Sequence, residues 1–253
     1  MLYCRMIAAS FIFCFIQTQQ VDAEQPHLVF LIAEKEYQTE DTVPAFCKQY
    51  LQKCRVDFVK ALPDDPNTFA DIESVDSADL LFVSVRRRTL PPQQLNHIRR
   101  HVQAGKPVIG IRTASHAFCL RNEEPPKGLD AWPEFDKVVF GGNYTNHYKN
   151  QFVATIQSGQ PDSLVGKNLL SGIKKDLPFE SGGSLYRVSP LQEKTEIILH
   201  GVVEGYAPEP VAWTFLRADG GKSFYTSLGH VDDFHGPVLP RLLANAIEWC
   251  LHE

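Results

Sequence analysis

The stretch Lys106-Pro107-Val108-Ile109-Gly110-Ile111-Arg112-Thr113-Ala114-Ser115-His116 restricts the fold of this chain more than any other. An apolar run bounded by Pro and followed at once by short polar residues suits a central strand of a parallel sheet, buried on both faces. In such sheets ligands gather at the strand carboxyl ends, so any chemistry is expected at Arg112 to His116.

Strand and helix signals alternate along the chain in the same way. His27 to Ala33 and Leu80 to Val85 are unbroken apolar runs, and Val56 to Lys60 is a shorter strand. The spacing predicts a helix over Thr42 to Cys54 with Val43, Phe46, Tyr50 and Leu51 on one side. It predicts another over Pro91 to Ala104, with Leu95, Ile98 and Val102 inward and Gly105 as its stop. Trp132, Phe135, Val138 and Val139 mark a further amphipathic helix ending at Gly141-Gly142. Four βα units imply an α/β fold with a doubly wound, mostly parallel sheet. From Gln151 the texture becomes β-rich, with strands at Phe152 to Gln157, Glu196 to Val203, Val211 to Leu216 and Ser223 to Ser227, before a last helix Pro237 to Leu251. Arg121 to Asp130 reads as an excursion over the sheet, and residues 24–253 read as a single domain.

Hydrophobic residues at 43% and charged residues at 22% allow a sizeable core. A formal charge of -5 gives no general attraction to nucleic acid, so no nucleic-acid partner is expected. Residues 1–23 read as a signal peptide: Arg5 precedes the apolar run Met6 to Ile16, and Val21-Asp22-Ala23 has the small-x-small form of a cleavage site. Roughly 11 apolar residues fall short of the ~20 that span a bilayer, so export, periplasmic or secreted, without a stable membrane span is the expectation. Cys4 and Cys14 leave with that segment, and Cys47, Cys54, Cys119 and Cys250 remain able to pair. Cys47 and Cys54, on one predicted helix, would lie ~10 Å apart, beyond disulfide reach.

Three blocks carry a resemblance to a known family. They are the elbow Gly110-Ile-Arg-Thr-Ala-Ser-His116, the loop Gly141-Gly142-Asn-Tyr-Thr-Asn-His147, and the tail from Pro210-Val-Ala-Trp-Thr through Phe224-Tyr-Thr-Ser-Leu-Gly-His230 to Leu242-Leu-Ala-Asn-Ala-Ile-Glu-Trp249. In these the chain resembles the ThuA-like (trehalose-utilisation) proteins, which have a class I glutamine amidotransferase-like, flavodoxin-related fold. The resemblance implies sugar metabolism, of oxidised or keto sugars, and a small-molecule carbohydrate as partner. In the amidotransferases the elbow delivers a cysteine nucleophile, whereas Arg112 stands in its place here. Guanidinium has no nucleophilic form near neutral pH, so the thiol chemistry is expected to be gone. The family often has histidine at the Arg112 position, and its Gly-Gly block commonly ends His-Pro where this chain has His147-Tyr148.

The candidate catalytic residues are His230, His147, Arg112 and His116, with Thr113, Ser115, Tyr144 and Asp232 as substrate-binding candidates. A histidine would act as general acid/base and Arg112 would polarise a carbonyl or anion. No cofactor is expected. A divalent metal on these imidazoles with Asp232 or Asp233 is the alternative, opposed by the guanidinium. His97 and His101 have two-ligand spacing but lack the glutamate of HExxH, and flanked by Arg99 and Arg100 they are expected to face solvent. Ser115 and Cys119 lack an elbow pattern for covalent catalysis, and Cys119 is expected inside the following helix. Arg86-Arg87-Arg88 should share the elbow's rim and could steer an anionic substrate. Tyr37, Trp132, Tyr144, Tyr148 and Tyr206 are candidates for stacking on sugar rings. Asn143-Tyr144-Thr145 fits a glycosylation sequon. A ligand-binding module without turnover, and an interaction domain of a larger assembly, stay open beside the enzyme.

Overall fold

A computed structural model describes residues 25–252; the expected signal segment, with Cys4 and Cys14, lies outside them. In chain order the elements are β1 (His27–Ala33), α1 (Thr39–Tyr50), β2 (Arg55–Lys60), α2 (Ser74–Ser77), β3 (Leu80–Val85), α3 (Pro92–Gln103) and β4 (Val108–Ile111). A 3-10 turn, Arg112–His116, and a π-turn, Asp136–Phe140, follow. Then come β5 (Asn146–His147), β6 (Ala154–Ser158), α4 (Leu164–Leu169), β7 (Phe179–Ser181), β8 (Tyr186–Arg187), β9 (Thr195–Val202), β10 (Glu209–Leu216), β11 (Lys222–Thr226), α5 (Val231–His235) and α6 (Val238–Leu251).

Nine strands form one sheet in the order β2-β1-β3-β4-β11-β10-β9-β6-β7. The first five are parallel, and from β11 outward every pairing is antiparallel, so the β-rich half extends the same sheet. Both faces of β1 are covered, which is why it is apolar from Leu28 to Ala33. Leu28, Phe30 and Ile32 pack with α1 and α6 on one side, while Val29, Leu31 and Ala33 pack with α3 on the other. Burying each Val, Leu, Ile or Phe among them contributes roughly 1.5–3 kcal/mol. The chain leaves β1 for β2 on one side and returns to β3 on the other. The resulting switch point lies at the carboxyl ends of β1 and β3, where an open sheet forms its crevice.

Several local expectations change. Helix α1 starts three residues early, because the Thr39 N–H and hydroxyl both donate to Glu34 Oε1, at 3.0 and 2.6 Å. It ends at Tyr50, which leaves Cys54 in the turn before β2, and all four cysteines of the described residues are free thiols. The helix expected around Trp132–Val139 contracts to the single turn Asp136–Phe140, stopped by Gly141 at φ 65°, and Val138 is exposed. Cys119 lies in a loop, since the elbow turn ends before it. His101 is buried rather than solvent-facing: its Nε2 lies 3.0 Å from the Pro107 carbonyl, and burial pushes its pKa down to about 4. Its neighbour His97 pairs with Asp76 at 2.9 Å.

Candidate functional site

Strand β4 delivers Arg112 in the left-handed region, at φ 46°. For a residue with a Cβ this costs on the order of 1 kcal/mol, and the surroundings hold it there. Tyr225 donates its hydroxyl to the Arg112 carbonyl at 2.5 Å from the adjacent strand β11. The guanidinium is 3% exposed overall with its residue and donates to Ser227 O (2.7 Å), Ser184 O (2.9 Å) and Ser184 Oγ (3.2 Å). Its carbon lies 4.8 Å from the ring centre of Tyr37 and 4.4 Å from that of Tyr186. Gly183 closes over it: a Cβ there would sit 2.8 Å from that carbon. Arg112 is therefore not free to polarise a substrate carbonyl. The strained elbow is kept, and its side chain organises two tyrosines and the loop after β7.

Two adjoining cavities open at the switch point. The smaller, about 340 Å³, is lined by Tyr37 after β1, Arg86 and Arg87 after β3, His116, Tyr144, His147 and Tyr186, among others. The larger, about 430 Å³, includes Ser115, His116, Cys119, Asp136 and Tyr144. Arg87, His116, Arg121 and Tyr144 belong to both and form the shared wall.

His116 stacks on Tyr144, with ring centres 4.5 Å apart at 24°. Its Nδ1 lies 3.1 Å from Ser115 Oγ. Burial first, and then the charges of Arg87, Arg86, Arg112 and Arg121, push its pKa down to about 2. A ring held neutral in this way cannot supply a proton as imidazolium, which removes the acid half of the role expected for it. His147 lies on β5, exposed, and its Nδ1 is 2.7 Å from the Tyr148 carbonyl. A carbonyl only accepts, so the proton sits on Nδ1 and Nε2 keeps its lone pair for a ligand.

The structure does not bring all the candidates to one place. Neither cavity is lined by His230, Asp232 or Thr113. His230 caps α5, its Nδ1 accepting the Asp232 N–H at 3.3 Å, and its ring meets that of Tyr37 edge-on with centres 6.0 Å apart. The Asp232 carboxylate is exposed beside it, 3.3 Å from Nδ1. Asp233 is consumed by structure, accepting the Gly229 and His230 N–H groups and the Ser181 hydroxyl. Thr113 is buried and its hydroxyl finds no partner. Among the described residues no three His, Cys, Asp or Glu side chains gather as metal ligands.

Among the lining residues that the sequence reading missed are Tyr186, Asp136 and Arg121. Tyr186 lies on the two-residue strand β8, too short to show a pattern; the Gly182-Gly183 pair just before it was the only local signal. Asp136 lies at 7% exposure in the larger cavity, one oxygen accepting the Tyr144 N–H at 2.8 Å and the other without a partner. Burial raises its pKa to about 7. Gly142 makes room for it, since a Cβ there would lie 2.3 Å from Oδ1. Of the other stacking candidates, Tyr148 and Tyr206 pack on each other and Trp132 packs on Phe135.

The sequence model of the family described as ThuA, trehalose utilisation, matches residues 28–250. Two solved structures share the fold. A ThuA-like protein of Bacteroides uniformis is 17% identical with a TM-score of 0.59, the alignment covering 90% of this chain and 93% of that one. One from Parabacteroides merdae is 14% identical with a TM-score of 0.58, covering 90% of each chain. No curated protein matches the chain.

Proposed function

The chain belongs to the ThuA (trehalose utilisation) family, and from that premise we propose that it processes a sugar or keto-sugar in the cleft between Tyr37, Tyr144 and Tyr186. The observation that supports this best is the pairing of three tyrosines with two histidines of unequal character around one crevice. Aromatic faces suit the apolar faces of sugar rings, and polar groups between them suit hydroxyls. His116, held neutral, serves as a fixed hydrogen-bonding partner. His147, with Nε2 left free, is the general base that takes a proton from a sugar carbon or hydroxyl. Asp136, titrating at about 7, is the group able to return a proton from the larger cavity. Arg112 is a positioning residue in this scheme, and the His230 ring packs edge-on against Tyr37.

The segment 1–23 makes an exported protein part of the same proposal. A binding module without turnover is the second reading, favoured by Arg112 standing where the amidotransferases place their nucleophile.

The test is incubation of the protein, from Glu24 onward, with a panel of disaccharides and their 3-keto forms, following products by mass and NMR. Turnover that falls at least a hundredfold in His147→Ala, with the fold intact, supports the enzyme. Saturable binding without conversion assigns the binding module instead.

A further inference from the structure

Charge in the cleft is unbalanced. Strand β3 leads into Arg86 and Arg87, and the loop after the elbow brings Arg121 to the same wall. Glu36 answers Arg86 at 2.9 Å, but among the described residues neither Arg87 nor Arg121 has a carboxylate within ion-pair distance. The one carboxyl in the larger cavity, Asp136, is desolvated and half protonated near neutrality, and Lys137 adds another cation there. Arg87 is also fixed. Its N–H donates to the His116 carbonyl at 3.1 Å, that of Arg88 donates to the Ala117 carbonyl at 2.7 Å, and Arg87 takes φ 48°. Neighbouring parallel strands β3 and β4 thus each lead into an arginine held in the left-handed region, Arg87 and Arg112, and Arg87 lines both cavities. Strain kept at a ligand crevice marks a position that the surroundings over-determine.

We propose that the sugar taken by this cleft carries an anionic group, a carboxylate or a phosphate, held by Arg87 and Arg121 at the wall shared by the two cavities. Guanidinium forks match the oxygens of either group two at a time, and a neutral ring such as His116 adds a hydrogen bond without competing for the charge. Tyr37 and Tyr144, half-buried where Tyr186 is enclosed, then border the sugar body. This rests on the sugar reading above and names its substrate class.

Calorimetric titration of the intact protein with glucose, gluconate, glucose 6-phosphate and inorganic phosphate, at low salt and at 0.5 M salt, tests it. The expected result is at least tenfold tighter binding of one anionic sugar than of glucose, weakened by salt and lost in Arg87→Gln/Arg121→Gln. Whether gluconate or glucose 6-phosphate binds better separates carboxylate from phosphate. Should the double variant not fold, Arg121→Gln, in an exposed loop, still must narrow the gap. Glucose binding as tightly as either anion, or a gap unchanged in the variants, overturns the proposal and leaves the sugar reading standing. Phosphate binding alone, lost with the arginines, upholds the anion site and removes the sugar; no binding at all overturns both.

Discussion

The guanidinium carbon of Arg112 lies 4.4 Å from the ring centre of Tyr186, enclosed behind the cleft. Arg112 is the post against which Tyr37 and Tyr186 pack. Replacing it with Met removes the donors to the Ser184 and Ser227 carbonyls and both cation–π contacts. Three lost charged hydrogen bonds, the third to Ser184 Oγ, imply at least about 3 kcal/mol of destabilisation. Urea or thermal unfolding of Arg112→Met should register this, and Arg112→Lys should restore only part of it.

Asp136 gives the protein a pH signature. Its folded pKa of about 7 is above the model carboxylate value of 3.8, so between those values the unfolded chain has lost a proton that the folded chain keeps. Stability from this group is whole below pH 3.8 and falls as pH rises to about 7, by on the order of 4 kcal/mol across the window. Asp136→Asn keeps an acceptor for the Tyr144 N–H and should flatten that slope in denaturant melts taken from pH 4 to 8.

His116 acts in the opposite sense. Its pKa is depressed from 6.5 to about 2, so acidification below 6.5 protonates the unfolded chain first and draws stability away until about pH 2. The ring should show no protonation in imidazole NMR shifts between pH 5 and 8. His116→Gln should lose part of the acid sensitivity.

The thiols should divide into two classes. Cys47 and Cys250 are buried, and burial pushes both pKa values up to about 12, leaving almost no thiolate at neutral pH. Cys54 and Cys119 are half-buried. Native protein should be alkylated at Cys54 and Cys119 only, and all four of these thiols should react after denaturation, read by peptide mass.

Parts of this design are legible in the chain and parts are not, for physical reasons. Strands β1 and β3 coincide residue for residue with the apolar runs His27 to Ala33 and Leu80 to Val85, because burial on both faces leaves no alternation to misread. The elbow at Arg112 to His116 is legible as the end of such a run. Its role is not: whether a guanidinium faces substrate or is enclosed depends on Ser184 and Gly183, some seventy residues away. Tyr186 and Asp136 are hidden for the same reason, one on a strand of two residues and the other on a short turn, both made important by what packs around them.

Chemical-shift mapping of isotope-labelled protein against a keto-disaccharide tests the central claim most directly. The account predicts saturable shifts centred on Tyr37, His116, Tyr144, His147 and Tyr186, spreading to Arg112 and no farther than Tyr225. Shifts confined to another face, such as the cavity beside Leu164 and Trp249, or none at saturating sugar, would contradict it.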